Sequence, residues 1–415
     1  MSVFRRFVGT VQVGGLYVLL ALLPFSKAAV EISFGVLFLT WLFQRCDPAT
    51  RADTVWLTPR FRPLVYAILA YLAACALSIP VSKTPILSLN GFINKWVEYL
   101  LFFVVAADLG RRPGVVRNGL MIIAASSLFV LIEAVTQEHA GRGIFSGHLY
   151  QNYQRATGPY ENPIDLATYL MVVIPLMLMA AIGRRRWLVR TMLWSLLVAL
   201  VVLLARTDAL GAWLGLCLGL PLVIVVEQPM VRRYGLIALV GIVLFCSIVP
   251  QGVGQNGIPH SKEAFSFARL GTSDRWNMWQ AALGMIRDRP ILGHGVNTFM
   301  ANYLDYWVGG ERQPRYAHNC YLQVAAETGF VGLVTFLGLL GLIFAQWFAA
   351  LRRGGGSDDR LALIGFTAGL FAFVLQAGID TNFYSLRQAA LFWLLAGLAT
   401  GLSDSVGGQT PLKST

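Results

Sequence analysis

The sequence predicts an all-α integral membrane protein with about twelve transmembrane helices. Hydrophobic residues make up 56% of the 415-residue chain and charged residues only 13%, about half the charged fraction of a soluble domain. The mean hydropathy is +0.62. Apolar runs long enough to cross a bilayer core about 30 Å thick recur along the chain. Because most of these residues cannot face water, a soluble fold is excluded.

Twelve apolar runs are predicted to be transmembrane helices, and the first is expected to be retained because it lacks an evident signal-peptidase site. The run at 93–109 contains Lys95 and Glu98 near its start, the run at 235–250 is short, and the run at 319–350 is long enough to extend beyond the membrane. The twelve runs are residues 7–26, 28–44, 63–80, 93–109, 115–135, 164–182, 187–205, 209–226, 235–250, 319–350, 361–379 and 388–403.

The distribution of Arg and Lys predicts the orientation of the chain in the membrane. The formal net charge is +12, from 33 basic and 21 acidic residues. With twelve spans both termini share one side, which carries 19 basic and 7 acidic residues, whereas the other side carries 14 of each. Since cytoplasmic loops are rich in Lys and Arg, both termini are predicted to be cytoplasmic. The excess charge is therefore assigned to topology, and no nucleic-acid partner is expected.

Two long segments are predicted on the non-cytoplasmic side, whereas all other loops are short. Residues 1–250 would hold nine transmembrane helices and a medium external loop at about 136–163. Residues 251–318 would form a large external loop with short helices and catalytic elements. Residues 319–403 would hold the last three transmembrane helices, and residues 404–415 a cytoplasmic tail.

Several kinds of site are absent from the sequence. The five cysteines are scattered, with no disulfide framework and no metal-ligand spacing. No Asp-x-Asp pair occurs, so the usual carboxylates for a divalent metal on a diphosphate are missing. There is also no Gly-rich phosphate loop and no two-His–carboxylate cluster. We therefore predict no metal and no cofactor, and any diphosphate would be held by arginines.

The group of polar residues that most strongly indicates a site begins directly before the predicted span at 319–350 and continues into it. His318 would lie at the N-terminal end of that helix, where the helix dipole favours a neutral imidazole that can act as a general base. Asn319, Gln323 and Glu327 continue at helical spacing as a polar ridge. An ionisable residue at the depth of Glu327 is costly and indicates a function. The alternative is a structural pair between Glu327 and an Arg or a hydroxyl group in the bundle.

Arg206 and Arg275 are the main candidates for binding a diphosphate, because a guanidinium fork matches phosphate oxygens. Arg206 follows the span at 187–205, and Arg275 opens a Trp-rich helix. The alternative for Arg206 is an ion pair with Asp208, and for Arg275 a pair with Asp274 or Asp288. Second-tier candidates at the same face are Lys95, Arg155, Arg315 and Asn319.

The large external loop contains a predicted amphipathic helix. Trp276, Trp279, Leu283 and Ile286 recur at helical spacing, and this apolar stripe could lie on the membrane interface or on the bundle. An aromatic patch follows at 299–307. These rings could stack on sugars or anchor the loop at the membrane interface.

Several short motifs, in their order and spacing, resemble the O-antigen ligase and polymerase superfamily, and most closely its lipopolysaccharide core ligases. The resemblance covers roughly residues 155–332. The motifs are Gly158-Pro-Tyr-Glu-Asn-Pro163, Ala205-Arg-Thr-x-x-Leu-Gly, Arg275-Trp, Pro290-Ile-Leu-Gly-His-Gly295, His318-Asn-x-Tyr-Leu and Glu327-Thr-Gly-Phe.

This resemblance implies a metal-independent membrane glycosyltransferase of the GT-C type, in a bacterial inner membrane with a periplasmic active site. Its donor would be a glycan on undecaprenyl diphosphate, its acceptor a sugar hydroxyl of lipid A-core, and membrane lipids would surround it. By matching positions, His318 would take the proton from the acceptor hydroxyl, and Arg206 and Arg275 would hold the diphosphate as the C1–O bond breaks. Arg315 and Asn319 would orient His318 or the phosphates. A one-step displacement would invert the anomeric carbon.

Three alternatives stay open from the sequence. A polymerase of the same superfamily would use a lipid-linked repeat unit as acceptor, and the single large external loop favours the ligase. A secondary transporter of anions would suit twelve spans, an intramembrane Glu and basic external residues, but no inverted repeat is found. A membrane scaffold would show no dependence on His318.

Overall fold

The computed structural model describes residues 2–48, 50–52, 54–149, 155–225, 274–310, 312–353 and 358–408. Within these ranges the chain is helical, and its β-structure is limited to an isolated antiparallel bridge between Arg142 and Leu149. The predicted all-α class is confirmed for this part of the chain. The predicted span at 235–250 and the first part of the external loop lie outside the described residues.

Where the structure describes them, the predicted apolar runs form helices, and so do parts of the predicted external loop from residue 274 onward. Short 3-10 turns and a π-helical segment, Phe92–Val97, connect or extend them. The α-helices are α1 (Ser2–Leu22), α2 (Lys27–Cys46), α3 (Arg62–Ser78), α4 (Pro85–Gly91), α5 (Glu98–Gly110), α6 (Val115–Ala140), α7 (Pro163–Gly183), α8 (Trp187–Arg206), α9 (Leu210–Val225), α10 (Asp274–Asp288), α11 (Phe299–Asn302), α12 (Cys320–Arg352), α13 (Asp358–Gln376) and α14 (Leu386–Gly408).

Seven helices among the described residues are long and apolar enough to cross a membrane. Two shorter apolar helices occur at Arg6–Leu22 and Leu210–Pro221. Helical residues also occupy every predicted span except the one that lies outside the described residues. An integral membrane protein is therefore supported, whereas the number twelve stays a prediction. The seven segments are Lys27–Cys46, Pro59–Ser78, Val115–Ala140, Pro163–Gly183, Trp187–Arg206, Cys320–Arg352 and Leu386–Val406.

Small residues let the central helices pack with their backbones close together. An added side-chain carbon at Gly397 or Gly401 of α14 would overlap the carbonyl groups of Phe103 and Ala107 in α5. Such close approach is typical of membrane helices, which associate through packing rather than through the hydrophobic effect. Helices α7 and α14 are the most enclosed of the apolar spans.

Helix α12 is kinked at Gly329, and the kink joins the external loop to the bundle. Gly329 has φ 67° and ψ −171°, a conformation that glycine adopts without steric cost. The opened turn bonds to the Pro290–Gly295 motif: Phe330 N donates to Pro290 O at 2.7 Å, and Gly295 N donates to Glu327 O at 2.8 Å. A side chain at Gly329 would overlap the carbonyl of Ile291. The two motifs of the sequence therefore form one backbone-bonded unit.

Helix α10 packs against α12 with a face that includes Ile286 but not the exposed Trp276 and Leu283 of the predicted apolar stripe. Met278 and Met285 are buried with Ala326 of α12 in a separate apolar cluster. Trp276 and Leu283, which belong to the predicted stripe, are exposed. The small residues of both helices allow close contact, so the bulky rings are left on the outer side. Part of the stripe therefore packs on the bundle, and contact of its exposed residues with the membrane interface stays a prediction.

The bundle has two ends that differ in their charged residues, and α14 runs between them. Near one end of α14, Asp404 pairs with Arg111 at 3.2 Å and with Arg60 at 3.6 Å. We name this the Asp404 end. The other end, named the His318 end, carries the start of α12 and the loop that precedes α14. The charge distribution predicts that the Asp404 end is cytoplasmic.

Candidate functional site

His318 lies two residues before α12, in a conformation that its neighbours impose. Its φ is +47°, which is uncommon for a residue other than glycine and is frequent at functional sites. Asn319 is the N-cap of α12, because its side-chain oxygen accepts from Tyr321 N and Leu322 N, both at 3.0 Å. The His318 side chain is 34% exposed. The cap thus fixes the backbone while the imidazole stays accessible.

The imidazole of His318 faces a carboxylate that sequence reasoning missed. Nδ1 of His318 lies 3.4 Å from Oδ1 of Asp380, whose side chain is 13% exposed. The same oxygen of Asp380 accepts from Thr381 N at 2.8 Å. A carboxylate on one ring nitrogen orients the imidazole and leaves the other nitrogen for a substrate. The arrangement is therefore suited to general base chemistry at Nε2.

Backbone contacts fix the distance between His318 and Asp380. Cys320, the first residue of α12, donates its N–H to Ala377 O at 2.8 Å and to Asp380 O at 3.2 Å. Its thiol also donates to Asp380 O, at 3.2 Å. We name residues 377–385 the α13–α14 loop. The start of α12 is thus docked on this loop, which holds the two side chains opposite each other.

Arg275 reaches the same loop from α10. Its Nη1 donates to Ile379 O at 3.2 Å, next to Asp380. Of the two ion pairs considered from the sequence, the one with Asp288 is not formed, and the side chain of Asp274 lies outside the described part of the structure. Asp288 instead accepts from the hydroxyl of Tyr306 at 2.6 Å, a contact that lowers the pKa of this carboxyl. The structure therefore brings Arg275 and His318 together on the α13–α14 loop.

Arg206 stands at the end of α8 and pairs with Glu138 of α6, not with Asp208. Its side chain is 54% exposed. The turn that follows Arg206 is close to the α13–α14 loop, because a side-chain carbon added at Gly211 would lie 2.8 Å from Cδ1 of Ile379. Arg206 is thus on the same end of the bundle as Arg275 and His318.

Arg155 supports the turn that carries Arg206. Its Nε donates to Thr207 O at 2.7 Å and its Nη2 donates to Asp208 O at 3.0 Å. Ala156 N also donates to Arg206 O at 3.0 Å. Burial lowers the pKa of Arg155. The contacts indicate a positioning residue, and direct contact between Arg155 and a diphosphate stays a prediction.

Lys95 lies between the segments that carry His318 and Asp380. It belongs to the π-helical segment, a form that is frequent at functional sites. Its ammonium donates to Asn297 Oδ1 at 2.8 Å and stands 5.9 Å from the ring centre of Tyr316 and 5.6 Å from that of Tyr384. Lys95 therefore lies next to the site. Its part in binding the diphosphate stays a prediction. Arg315, the remaining second-tier candidate, is half-buried three residues before His318.

Glu327 is a structural residue, as the alternative from the sequence proposed. It is buried and accepts from the hydroxyl of Tyr384 at 2.9 Å, from Asn297 N at 2.8 Å and from Gln323 Nε2 at 3.2 Å. A buried carboxylate with several donors is stabilised, whereas an unpaired one would be very costly. Glu327 therefore holds the external loop and the α13–α14 loop against α12.

The Gly158–Pro163 motif is held at the same end by a buried arginine that sequence reasoning also missed. Arg387 donates to Pro24 O and to Pro159 O, both at 2.9 Å. Its guanidinium stands 4.4 Å from the ring centre of Tyr160. Asn162 caps α7 by accepting from Asp165 N at 2.8 Å. The motif thus forms a rigid connection between α14 and the loops around it.

Comparison with known proteins supports the resemblance drawn from the motifs. Residues 195–337 match the family described as O-antigen ligase, a range that contains Arg206, Arg275 and His318 and ends before Asp380. No three His, Cys, Asp or Glu side chains of the described residues come together as a metal site. The resemblance to the O-antigen ligase superfamily is confirmed, and metal independence stays a prediction.

Two relatives carry the same kind of name. A Rickettsia felis protein named "Putative polysaccharide ligase" is 23% identical over 291 residues, which cover 66% of this chain and 66% of the relative. A Rickettsia prowazekii protein with a corresponding name is 26% identical over 345 residues, which cover 80% of this chain and 77% of the relative. The chain thus matches slightly less than two thirds of the length of the first relative.

Proposed function

Because the resemblance to the O-antigen ligase superfamily is confirmed over residues 195–337, we propose that this chain is a membrane glycan ligase. It transfers a glycan from undecaprenyl diphosphate to a sugar hydroxyl of lipid A-core. The observation that carries the proposal is the meeting of His318, Asp380 and Arg275 on the α13–α14 loop. A base, its orienting carboxylate and a phosphate-binding cation are the groups that such a transfer requires.

His318 acts as the general base of this reaction. Nε2 removes the proton of the acceptor hydroxyl as its oxygen forms the new bond to C1 of the donor sugar. The bond between C1 and the phosphate oxygen breaks, and its electron pair leaves with undecaprenyl diphosphate. Asp380, 3.4 Å from Nδ1, stabilises the imidazolium that forms. Attack opposite the leaving group inverts the anomeric carbon.

Arg206 and Arg275 stabilise the leaving diphosphate. Its negative charge increases as the C1–O bond breaks, so cations that are already in position lower the barrier. Arg275 is held by Ile379 O, and Arg206 has half of its side chain exposed. The guanidinium groups take the role that a divalent metal has in many diphosphate-using enzymes. The reaction therefore needs no metal and no cofactor.

The proposed setting is a bacterial inner membrane, with both termini cytoplasmic and the His318 end in the periplasm. The excess of basic residues on the Asp404 side supports this orientation. The twelve-helix arrangement and the GT-C type are part of the same proposal. The donor lipid would reach the site from the outer leaflet.

A reconstituted transfer assay tests the proposed function. Purified full-length protein is given a glycan on undecaprenyl diphosphate with one of two acceptors, lipid A-core or a second lipid-linked repeat unit, in the presence of a metal chelator. We expect transfer to lipid A-core, and a chelator should not reduce it. Transfer to the repeat unit alone would identify a polymerase. Absence of transfer together with anion flux in liposomes would identify a transporter, and a requirement for Mg²⁺ would contradict the role given to the arginines.

A further inference from the structure

A cavity of about 370 Å³ lies at the Asp404 end, away from the candidate site. It is lined by α2, α3, α5 and the segment that links α2 to α3, and it is open on one side. Its volume is within the range of small-molecule binding sites in proteins. Nothing in the proposed ligase reaction uses this cavity.

The cavity has an apolar wall and a cationic rim. Ile68, Leu69 and Val104 contribute aliphatic surface, and Arg45 and Arg51 line the same space. Leu69 is 56% exposed, so the wall is continuous with the surface of a predicted membrane span. This combination fits an amphiphile with a negatively charged head and a hydrocarbon tail.

A buried carboxylate keeps the wall of the cavity in place. Asp108 accepts from Trp41 Nε1 and Thr54 Oγ1, both at 2.7 Å, and from Val55 N at 2.9 Å. Trp56 Nε1 donates to Val104 O at 3.1 Å. Because these bonds join α2, α5 and the linking segment, the cavity does not depend on loose side chains. A preformed cavity needs less ordering when a ligand binds.

The two arginines of the rim are held near each other. Arg45 donates from Nη1 to Arg51 O at 3.3 Å, and its guanidinium lies 5.8 Å from the ring centre of Trp41. The side chain of Arg51 is exposed. Both oxygens of Asp108 are bound inside the wall, so this carboxylate does not occupy the rim. Guanidinium groups are well suited to phosphate oxygens.

We propose that this cavity binds an anionic phospholipid, with the phosphate at Arg45 and Arg51 and an acyl chain against the apolar wall. Its position at the predicted cytoplasmic end places the arginines at the depth of lipid headgroups. The site would anchor α2 and α3 to the inner leaflet. It is independent of the proposed ligase reaction, since no residue of the candidate site takes part.

Lipid binding by the full-length protein tests this proposal. Purified protein is titrated with phosphatidylglycerol or phosphatidylcholine in mixed micelles, and bound lipid is measured by native mass spectrometry, with the unfolding temperature as second readout. We expect tight binding of phosphatidylglycerol only. Arg51→Gln should weaken it about tenfold, the loss expected for one charge-assisted contact. Arg185→Gln removes an exposed arginine outside the cavity and serves as the matched control.

A second variant tests the apolar wall of the cavity without changing any charge. Val65→Trp fills the cavity from α3 and should reduce binding of phosphatidylglycerol while the rim stays intact. Equal losses in Arg51→Gln and Arg185→Gln would show general surface attraction and overturn the proposal. Equal binding of both lipids, or unchanged binding in Val65→Trp, would overturn it as well. Transfer activity in the same preparations reports separately on the proposed ligase function.

Discussion

Asp108, at the Asp404 end, accepts three hydrogen bonds inside the wall of α2 and α5, whereas Asp380, at the His318 end, faces His318 across 3.4 Å. The first carboxylate has no access to a substrate. The second belongs to a pair whose imidazole is 34% exposed. Asp108 lies within α5 and Asp380 in the α13–α14 loop, and the two acids have different partners.

The difference separates charges that hold the fold from charges that are available for chemistry. At the Asp404 end, Asp404 contacts both Arg60, in the 3-10 turn before α3, and Arg111, at the end of α5. At the His318 end, Arg206 has more than half of its side chain exposed. Although Arg206 pairs with Glu138, exposure of the side chains, more than charge itself, distinguishes the candidate site. Substitutions at the His318 end should therefore lower the rate of transfer, whereas substitutions at the Asp404 end should act only on the unfolding temperature.

The largest effect is expected for His318→Ala. Loss of the general base should lower the transfer rate by about 10²- to 10⁴-fold, measured in the reconstituted assay. The unfolding temperature should change little, because the side chain is partly exposed. His139→Ala is the control, since His139 is exposed and bonds within its own helix, to Val135 O. Near-normal turnover in the His318→Ala variant would show that His318 is not the general base.

Arg206→Lys and Arg275→Lys should each lower transfer by about 10²-fold, because one ammonium cannot replace a guanidinium fork on a diphosphate. The assay is the rate of transfer at saturating donor. Arg312→Lys is the matched control, as Arg312 is exposed and stacks near Trp307 at 5.6 Å. Full activity with Lys at both positions would show that neither arginine binds the diphosphate through two hydrogen bonds.

Asp380→Asn should have a smaller effect on transfer, about ten- to hundredfold. A hydrogen bond to a charged group contributes about 1.5–3 kcal/mol, and each 1.4 kcal/mol changes a rate tenfold. Because Asp380 acts through His318, kcat should fall while the KM for the donor stays unchanged. A rise in KM with normal kcat would instead place Asp380 in donor binding.

The comparison also explains what the sequence could and could not predict. Helix positions follow from local hydropathy, and His318 was found because a titratable residue precedes an apolar run. Asp380 was missed because it lies 62 residues from His318, in a polar turn that looks like any short loop. Its role depends on the docking of Cys320 on the α13–α14 loop. Such long-range contacts leave no periodic signal in a single sequence.

Asp108→Asn should reduce stability and leave transfer unchanged in the protein that remains folded. Asn can accept from Thr54 and Val55 with its oxygen, but its amide group would then face the N–H donor of Trp41. Loss of one charge-assisted bond in a buried site costs about 1–3 kcal/mol. The unfolding temperature measures this effect. A normal unfolding temperature with reduced transfer would contradict the separation between the two ends.

The smallest effect is expected for Asp404→Asn. Its contacts with Arg111 at 3.2 Å and Arg60 at 3.6 Å join α14 to the end of α5 and to the 3-10 turn before α3. All three side chains are partly exposed, and such pairs contribute about 0–1 kcal/mol. The change also adds net positive charge to the predicted cytoplasmic side, which favours the same orientation. Transfer and unfolding temperature should therefore both stay close to those of the unmodified protein. Asp404 lies at the end of α14 opposite to the α13–α14 loop. A clear loss of transfer would therefore mean that α14 couples the two ends. Charge at the Asp404 end would then contribute to catalysis.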